Sequence, residues 1–206
     1  MWVDYTDHVP VPARQRLLDA LVNLTASQGL DGVSIREVAA AAGVSIGTVQ
    51  YHCHNKDQML VMAFEHIAAR IMDRTASIAS APISTPDEKI GSRLNRALLE
   101  LLPLDEVRRT ESRVYLAFAA RAAVVPSLAK VQHTFLTELR DQCAAALQAA
   151  RKAGETRSDV DPDQAAAGIA ALVDGLLVHL LTDPTGLPEE EAVDVLRAHL
   201  STLLVL

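Results

Sequence analysis

The sequence predicts an all-α fold, and three observations carry that expectation. Half of the 206 residues are apolar, alanine is abundant and glycine is scarce, a balance that favours helix over sheet. Apolar residues recur at helical spacing, and no segment alternates in the manner of a half-buried strand. Helix starts recur along the chain. Ser34 with Glu37, Asn55 with Gln58, Thr85 with Glu88 and Asp161 with Gln164 all fit the capping-box spacing. Pro86 and Pro162 stand at the first helical position, where a missing N–H costs nothing.

These signals give about nine helices. Residues 1–12 are a loose arm. A first helix over 13–28 precedes a second over 34–41, opened by Ser34. Gly43 separates that one from a short third over 45–52. Asn55 opens a long fourth helix over 55–80, and the link "SAPISTP" separates it from a fifth over 85–102. The remaining helices fall at 105–123, 126–153, 162–181 and 188–204, the last three each starting at a proline. No internal repeat is present. The length suffices for one large or two small domains with a real core.

Composition narrows the function. The net charge of −7 and pI near 5.4 favour solubility and do not by themselves advertise binding to a polyanion. Cys53 and Cys143 have neither metal spacing nor a paired framework, which fits a reducing cytoplasm. The opening "MWVDYTDHVPVPARQR" has acidic residues where a secretion signal needs basic ones, and it lacks an apolar core segment. The apolar run 165–181 carries Asp174 near its centre, where a charge costs about 2.5–3.5 kcal/mol in a bilayer. It reads as a buried helix of a cytoplasmic protein.

The stretch "IREVAAAAGVSIGTVQYHCHNKDQML", 35–60, carries the functional signal. Two helices that cross steeply need a residue tolerating positive φ between them, which is Gly43. They need a small residue at the crossing, Ala39, and inward apolar residues, Val38, Ala42, Val44 and Val49. With Val49 inward, Gly47 and Tyr51 point outward, with Thr48 and Gln50 on the flanks. Hydroxyl, carboxamide and phenol groups suit phosphates and base edges. Glycine at 47 either permits close approach to a DNA backbone or is simply tolerated in a first helical turn. Lys56 follows the N-cap Asn55, where a cation opposes the helix dipole unless an anion binds there. It is either a phosphate contact or a solvated lysine. From 13 to 58 the cations Arg14, Arg16, Arg36 and Lys56 balance Asp19, Asp31, Glu37 and Asp57. The rest of the chain therefore carries all of the net charge of −7. His52 and His54 could add positive charge near a phosphate.

From 17 to 60 the chain closely resembles the tetracycline-repressor (TetR) family. The resemblance rests on the Gly29 turn, "SIREVA", "AGVS", "GTVQYH" and "NKDQML". It implies an all-helical homodimer with a DNA-binding domain over 13–57 and a ligand-sensing, dimerising domain over 58–206. The implied partners are a palindromic double-stranded operator and a small-molecule effector, with no cofactor and no metal. The implied function is repression relieved by the effector. By motif position Arg36, Thr48, Gln50, Tyr51, His52 and Lys56 match frequent DNA contacts, and Ser45 and Gly47 complete the candidate surface. Cys53 stands where the family usually has phenylalanine, which implies a looser or repacked hinge. The segments 102–128 and 166–184 resemble the BetI-type sensor domains, without identifying choline or betaine as the effector.

In the C-terminal half, Ile169, Leu172, Val173, Leu176, Leu177 and Leu180 stripe one side of the eighth helix. Ala165, Gly168, Ala171 and Gly175 permit close helix approach. Val193, Leu196, Leu200 and Leu203 repeat the stripe on the last helix. Leu172, Leu176, Leu180, Leu196, Leu200 and Leu203 are thus the candidate dimer interface, with ordinary core as the plainer reading. Candidate effector contacts are Tyr115, Phe118, Arg121, Phe135 and His179. The scarcity of aromatics disfavours a cation cage and favours an aliphatic pocket for a lipophilic effector. An enzyme is the first competing class, but no phosphate loop or nucleophile–base constellation is recognisable. The "HCH" at 52–54 lacks a second pair of metal ligands. A helical interaction module without DNA binding is the other, against which the intact turn and Lys56 argue.

Overall fold

The computed structural model describes residues 12–81, 88–156 and 161–206. All but the last residue of the expected arm, and the Thr85–Pro86 helix start, lie outside the described residues. Nine helices occupy the rest: α1 Ala13–Gly32, α2 Ile35–Ala42, α3 Ile46–His52, α4 Lys56–Ser80, α5 Ile90–Leu99, α6 Glu106–Ala122, α7 Pro126–Lys152, α8 Pro162–Thr182 and α9 Glu189–Leu203. Among the described residues the only non-helical pairing is a single antiparallel bridge between Thr156 and Leu204.

The cap chemistry explains most boundaries. Ser34 closes a full capping box with Glu37. The Asn55 side chain accepts from the Gln58 N–H at 2.8 Å, but Gln58 reaches back to the His54 N–H at 2.7 Å. The reciprocal half of that box is therefore displaced by one residue. Asp161 accepts from both Asp163 and Gln164. Helix α1 is broken near its end at Gly29, whose φ is 69°, consistent with a helix proper that stops at Gln28.

Gly43 ends α2 in the left-handed region at φ 61° and ψ 41°. A Cβ there would meet nothing within 4 Å, so the demand for glycine is conformational and not steric. The turn lets α3 cross α2 while Val38, Ala39, Ala42 and Val49 close on Leu17, Leu21 and Leu60 in one core. Cys53 is fully buried in that core, and its thiol donates to the Val49 carbonyl at 3.3 Å. The cysteine is packed, with no exposed gap at its position.

Helix α4 runs out of this module into the C-terminal half. There Phe64 stacks on Phe118 of α6 with ring centroids 3.9 Å apart, and meets Phe135 of α7 edge-on at 5.4 Å. Farther along, Arg74 forks onto Glu111 of α6 at 2.6 and 3.2 Å and reaches Glu100 at 3.0 Å. Helix α8 lies along α7. It is apolar and long enough to cross a membrane by composition alone, yet Ile169, Val173, Leu176, Leu177 and Leu180 are buried against the rest of the chain. Asp174 points inward, where Tyr115 Oη donates to its Oδ1 at 2.8 Å and Gln132 donates to Tyr115 at 3.1 Å.

The candidate dimer leucines are corrected by this packing. Leu176, Leu180, Leu196 and Leu200 are buried inside the protomer, and Leu172 and Leu203 are half-buried. A single apolar stripe on each helix is consumed by intrachain packing, because α8 must cover α7 and α9 must cover α5 and α8. The outward face of α8 instead carries Ala167, Gly168, Ala171, Gly175 and Val178, and that of α9 carries Val195, Ala198 and Thr202.

Two outcomes are expected from this packing. Gly43→Val should lower folding stability by about 1–2 kcal/mol, the usual cost of a left-handed L-residue, seen as a shifted urea midpoint at unchanged slope. Burial raises the Asp174 pKa, partly offset by the Tyr115 hydrogen bond. A carboxyl whose folded pKa lies above its unfolded one carries no ionic penalty at low pH. The penalty builds from the unfolded pKa and is complete above the folded one. The melting-temperature gain of Asp174→Asn over the native chain should therefore be larger at pH 8 than at pH 4.

Candidate DNA-binding surface and sensor cavity

Helix α3 is held from behind and bare in front. Val49 is fully buried. Ser45 caps the helix by accepting from the Thr48 N–H at 3.0 Å, and the two hydroxyls share a 2.9 Å hydrogen bond. Gly47 and Gln50 are exposed, and Tyr51 is 81% exposed with its ring edge-on to His52 at 5.2 Å. A phenol ring this exposed contributes little to its own fold. Ile46, 44% exposed, joins this surface, although an isoleucine at a helix start carries the sequence signature of a core residue.

Arg36 on α2 and Lys56 at the first position of α4 are both exposed, flanking α3 in sequence on either side. A Cβ at Gly47 would meet only Ser45 Oγ, at 3.7 Å, so nothing within the protomer requires glycine there. Arg16 has a structural part: its Nε donates to the Ala42 carbonyl at 3.0 Å and ties α1 to the end of α2. Asp57, beside Lys56, pairs with Arg121 at the end of α6 at 3.0 Å. The neighbourhood of the recognition surface is thus bonded directly to the C-terminal half.

The candidate effector contacts are dispersed. Phe118 and Phe135 fill the core against Phe64, and Tyr115 is committed to Asp174. Burial and the Asp174 charge push the Tyr115 pKa well above its ordinary value, so the phenol stays protonated as a donor. Tyr115 and Phe135 border a cavity of only 20 Å³, about one water in size. Arg121 is engaged at the hinge, and His179 is exposed on the outer side of α8. Large aromatics on an apolar stripe close a core more readily than they line a hole.

A large apolar cavity lies elsewhere, between the C-terminal part of α4, α5 and α7, with a volume of about 600 Å³. Thr75, Ala76 and Ala79 form its α4 wall, Leu94 and Leu98 its α5 wall, and Leu139, Cys143 and Ala146 its α7 wall. None of the five candidate contacts lines it. Burial raises the Cys143 thiol to about 11, so it acts as a small apolar group. The α5 wall is fastened at its start. Glu155 accepts from the Ile90 N–H at 2.9 Å, while the Val205 N–H donates to the Glu155 carbonyl at 2.8 Å. A Cβ at Gly91 would lie 2.8 Å from the Val205 carbonyl oxygen, so only glycine admits the C-terminal segment against α5.

Residues 17–63 match the family described as bacterial regulatory proteins of the tetR family, and residues 91–205 match the BetI-type transcriptional repressor C-terminal family. The chain is 26% identical over 192 residues to the HTH-type transcriptional regulator PksA of Bacillus subtilis, covering 93% of this chain and 90% of that one. It is 26% identical over 163 residues to the regulator BetI of Burkholderia thailandensis, covering 79% and 78%. A transcriptional regulator from Rhodococcus sp. Rha1 shares the fold at TM-score 0.79 with 33% identity, covering 93% and 96%. One from Saccharomonospora viridis, solved in complex with choline, does so at 0.78 with 26% identity, covering 93% and 97%. The exposed α3, its intact turn and these matches together show that the chain belongs to the TetR family of bacterial transcriptional regulators, with a BetI-type C-terminal domain.

Proposed function

We propose that the protein represses transcription as a cytoplasmic, two-fold homodimer on a palindromic operator, and that a small molecule in the α4–α5–α7 cavity releases it. The observation that carries this reading is the continuity of α4. One end adjoins an exposed recognition helix, and the other is a wall of the 600 Å³ cavity. The protein acts by binding and catalyses nothing. Arg36, Ser45, Gly47, Thr48, Gln50, Tyr51, His52 and Lys56 form the DNA surface. Tyr51 and Gln50 meet base edges or sugar. Gly47 lets the backbone approach closely, and Lys56 joins the free N–H groups of α4 on one phosphate.

A ligand shifts the DNA equilibrium only through unequal affinity for the two arrangements. A coupling of about 1–3 kcal/mol corresponds to roughly 5–150-fold weaker operator binding. The choline bound by the Saccharomonospora viridis regulator is one candidate class of effector. The absence of aromatic side chains among the described lining residues of this cavity weighs against a caged ammonium here.

The dimer seam follows from the exposed face of α8 and α9. Gly168, Ala171, Gly175 and Val178 recur at spacings of three and four, the pattern of a close helix-to-helix seam. Val195 and Thr202 extend it on α9. Such a face suits a symmetric contact in which each helix pair meets its copy.

Lys56→Ala should weaken binding to specific and random duplex by similar factors and lower the salt slope by about one unit, read by fluorescence anisotropy across a salt series. A changed base preference at constant salt slope would remove Lys56 from the phosphate contacts. Val178→Asp with Val195→Asp should yield a folded monomer with weakened operator binding in sedimentation and anisotropy. Leu176→Asp with Leu200→Asp should instead lose helical circular dichroism, because those leucines are core. A dimer that survives the Val178 and Val195 changes would place the seam elsewhere.

A further inference from the structure

We infer that the cavity selects an uncharged aliphatic amphiphile, a saturated chain of about ten carbons bearing one hydrogen-bonding head such as an alcohol, ketone or ester. This rests on the reading of the α4–α5–α7 cavity as the effector site, and it specifies the chemistry of that site.

The walls set the first constraint. Leucine side chains at 94, 98, 101 and 139 supply branched apolar surface, and alanines on the facing helices leave the space that the ligand fills. No aromatic residue stands among the described lining residues. Phe64, Tyr115, Phe118 and Phe135 are spent on one another in the adjoining core. A planar or cationic ligand therefore finds no ring face to stack on.

Charge sets the second. Glu88 and Arg93 are the only ionisable side chains besides Cys143 among the described lining residues. Both are engaged: Arg93 meets the Glu88 carboxylate at 3.3 Å, and Arg96 occupies the other carboxylate oxygen, so the cluster has no negative charge to spare for a cationic ligand. Arg93 also donates to the Ala79 carbonyl at 2.9 Å. An ammonium head entering this site would be desolvated without a free counter-charge, and a carboxylate would compete with Glu88 for Arg93.

The polar handle is Gln142. Gln142 is exposed at the mouth of the cavity, and among the described residues its Nε2 contacts only the weak acceptor Met72 Sδ, at 3.5 Å, which leaves the carboxamide able to donate to and accept from one ligand group. Thr75 donates to the Met72 carbonyl at 3.0 Å and keeps acceptor capacity beside it. One uncharged head and one aliphatic tail match this inventory. A cavity of 600 Å³ falls within the roughly 300–1,000 Å³ of small-molecule sites and leaves room for a chain of about ten carbons with its head.

The test titrates the full chain by calorimetry with 1-decanol, 1-octanol, decanoate and decyltrimethylammonium, all below their micelle concentrations. Ala146→Trp and Leu98→Phe serve as cavity-filling variants, and random duplex binding at low salt is measured in parallel. The expected result is saturable decanol binding, about tenfold weaker for octanol and at least tenfold weaker for both ionic heads. Decanol binding is lost in both filling variants while helical circular dichroism and duplex binding persist. Equal or tighter binding of either ionic probe, decanol binding untouched by both fillings, or no decanol binding at all would each overturn the inference. An ionic probe that is itself expelled by the fillings keeps the cavity as sensor and removes only the neutral class. The exposed groove of Glu65, Asp73 and Glu138 between α4 and α7 does not include Ala146 or Leu98, so ammonium held there survives the fillings. Loss of duplex binding in the native chain would instead strike the DNA-binding reading.

Discussion

The stacking of Phe64 on Phe118 holds the molecule together at the point where its two jobs meet. Helix α4 has 25 residues and extends about 37 Å at ~1.5 Å per residue. Phe64 lies about 12 Å from its start beside the recognition helix, and about 22 Å from Ala79 in the cavity wall. Rings at 3.9 Å, closed on the other side by Phe135, make a contact that tolerates small tilts of α4 better than translation. Core packing is dense enough that such a contact has discrete arrangements and no soft continuum.

Each end of α4 is then tied by charge to α6. Asp57 meets Arg121 near the start, and Arg74 meets Glu111 and Glu100 farther on. The Glu111 carboxylate is buried, and both Arg70 and Arg74 serve it, so separating them leaves a buried charge unpaired at a cost of several kcal/mol. The exposed Asp57–Arg121 pair is worth far less, about 0–1 kcal/mol. The cavity end of α4 is therefore held harder than the DNA end. On the proposed reading, a ligand pressing on Thr75, Ala76 or Ala79 acts through a stiff segment on a loosely latched one. In the proposed dimer, two recognition helices fitted to successive major grooves about 34 Å apart would convert a small tilt into a large change in fit.

Much of this was legible in the sequence. Caps and prolines gave helix starts at Ser34, Asn55 and Asp161, because each acts on its own first turn. The exposed face of α3 was legible because Gly43 fixes the crossing and Val49 fixes the rotation of α3. The α4–α5–α7 cavity was not. Tyr115, Phe118 and Phe135 drew attention as rare residue types, whereas the cavity is lined by leucine and alanine, whose sequence signature is that of any helix. A hole arises from which small residues face each other across α4, α5 and α7, and periodicity on one helix does not report its neighbour. The dimer leucines misled for the same reason: a stripe looks identical whether its partner is α7 or another chain. Gly91 had no local signal either, since its constraint comes from Val205, more than a hundred residues away.

The most direct measurement is the spread of distances between the two DNA-binding modules of the proposed dimer, by electron–electron double resonance with nitroxides on Ser27→Cys of α1, an exposed position outside the DNA surface. Cys53 and Cys143 are buried, so the label goes to position 27. If the Phe64 stack sets the attitude of α4, Phe64→Leu broadens or displaces that distribution while helical content is retained, and operator DNA narrows it again. An unchanged distribution in Phe64→Leu would contradict the account and move control of the recognition helix away from α4.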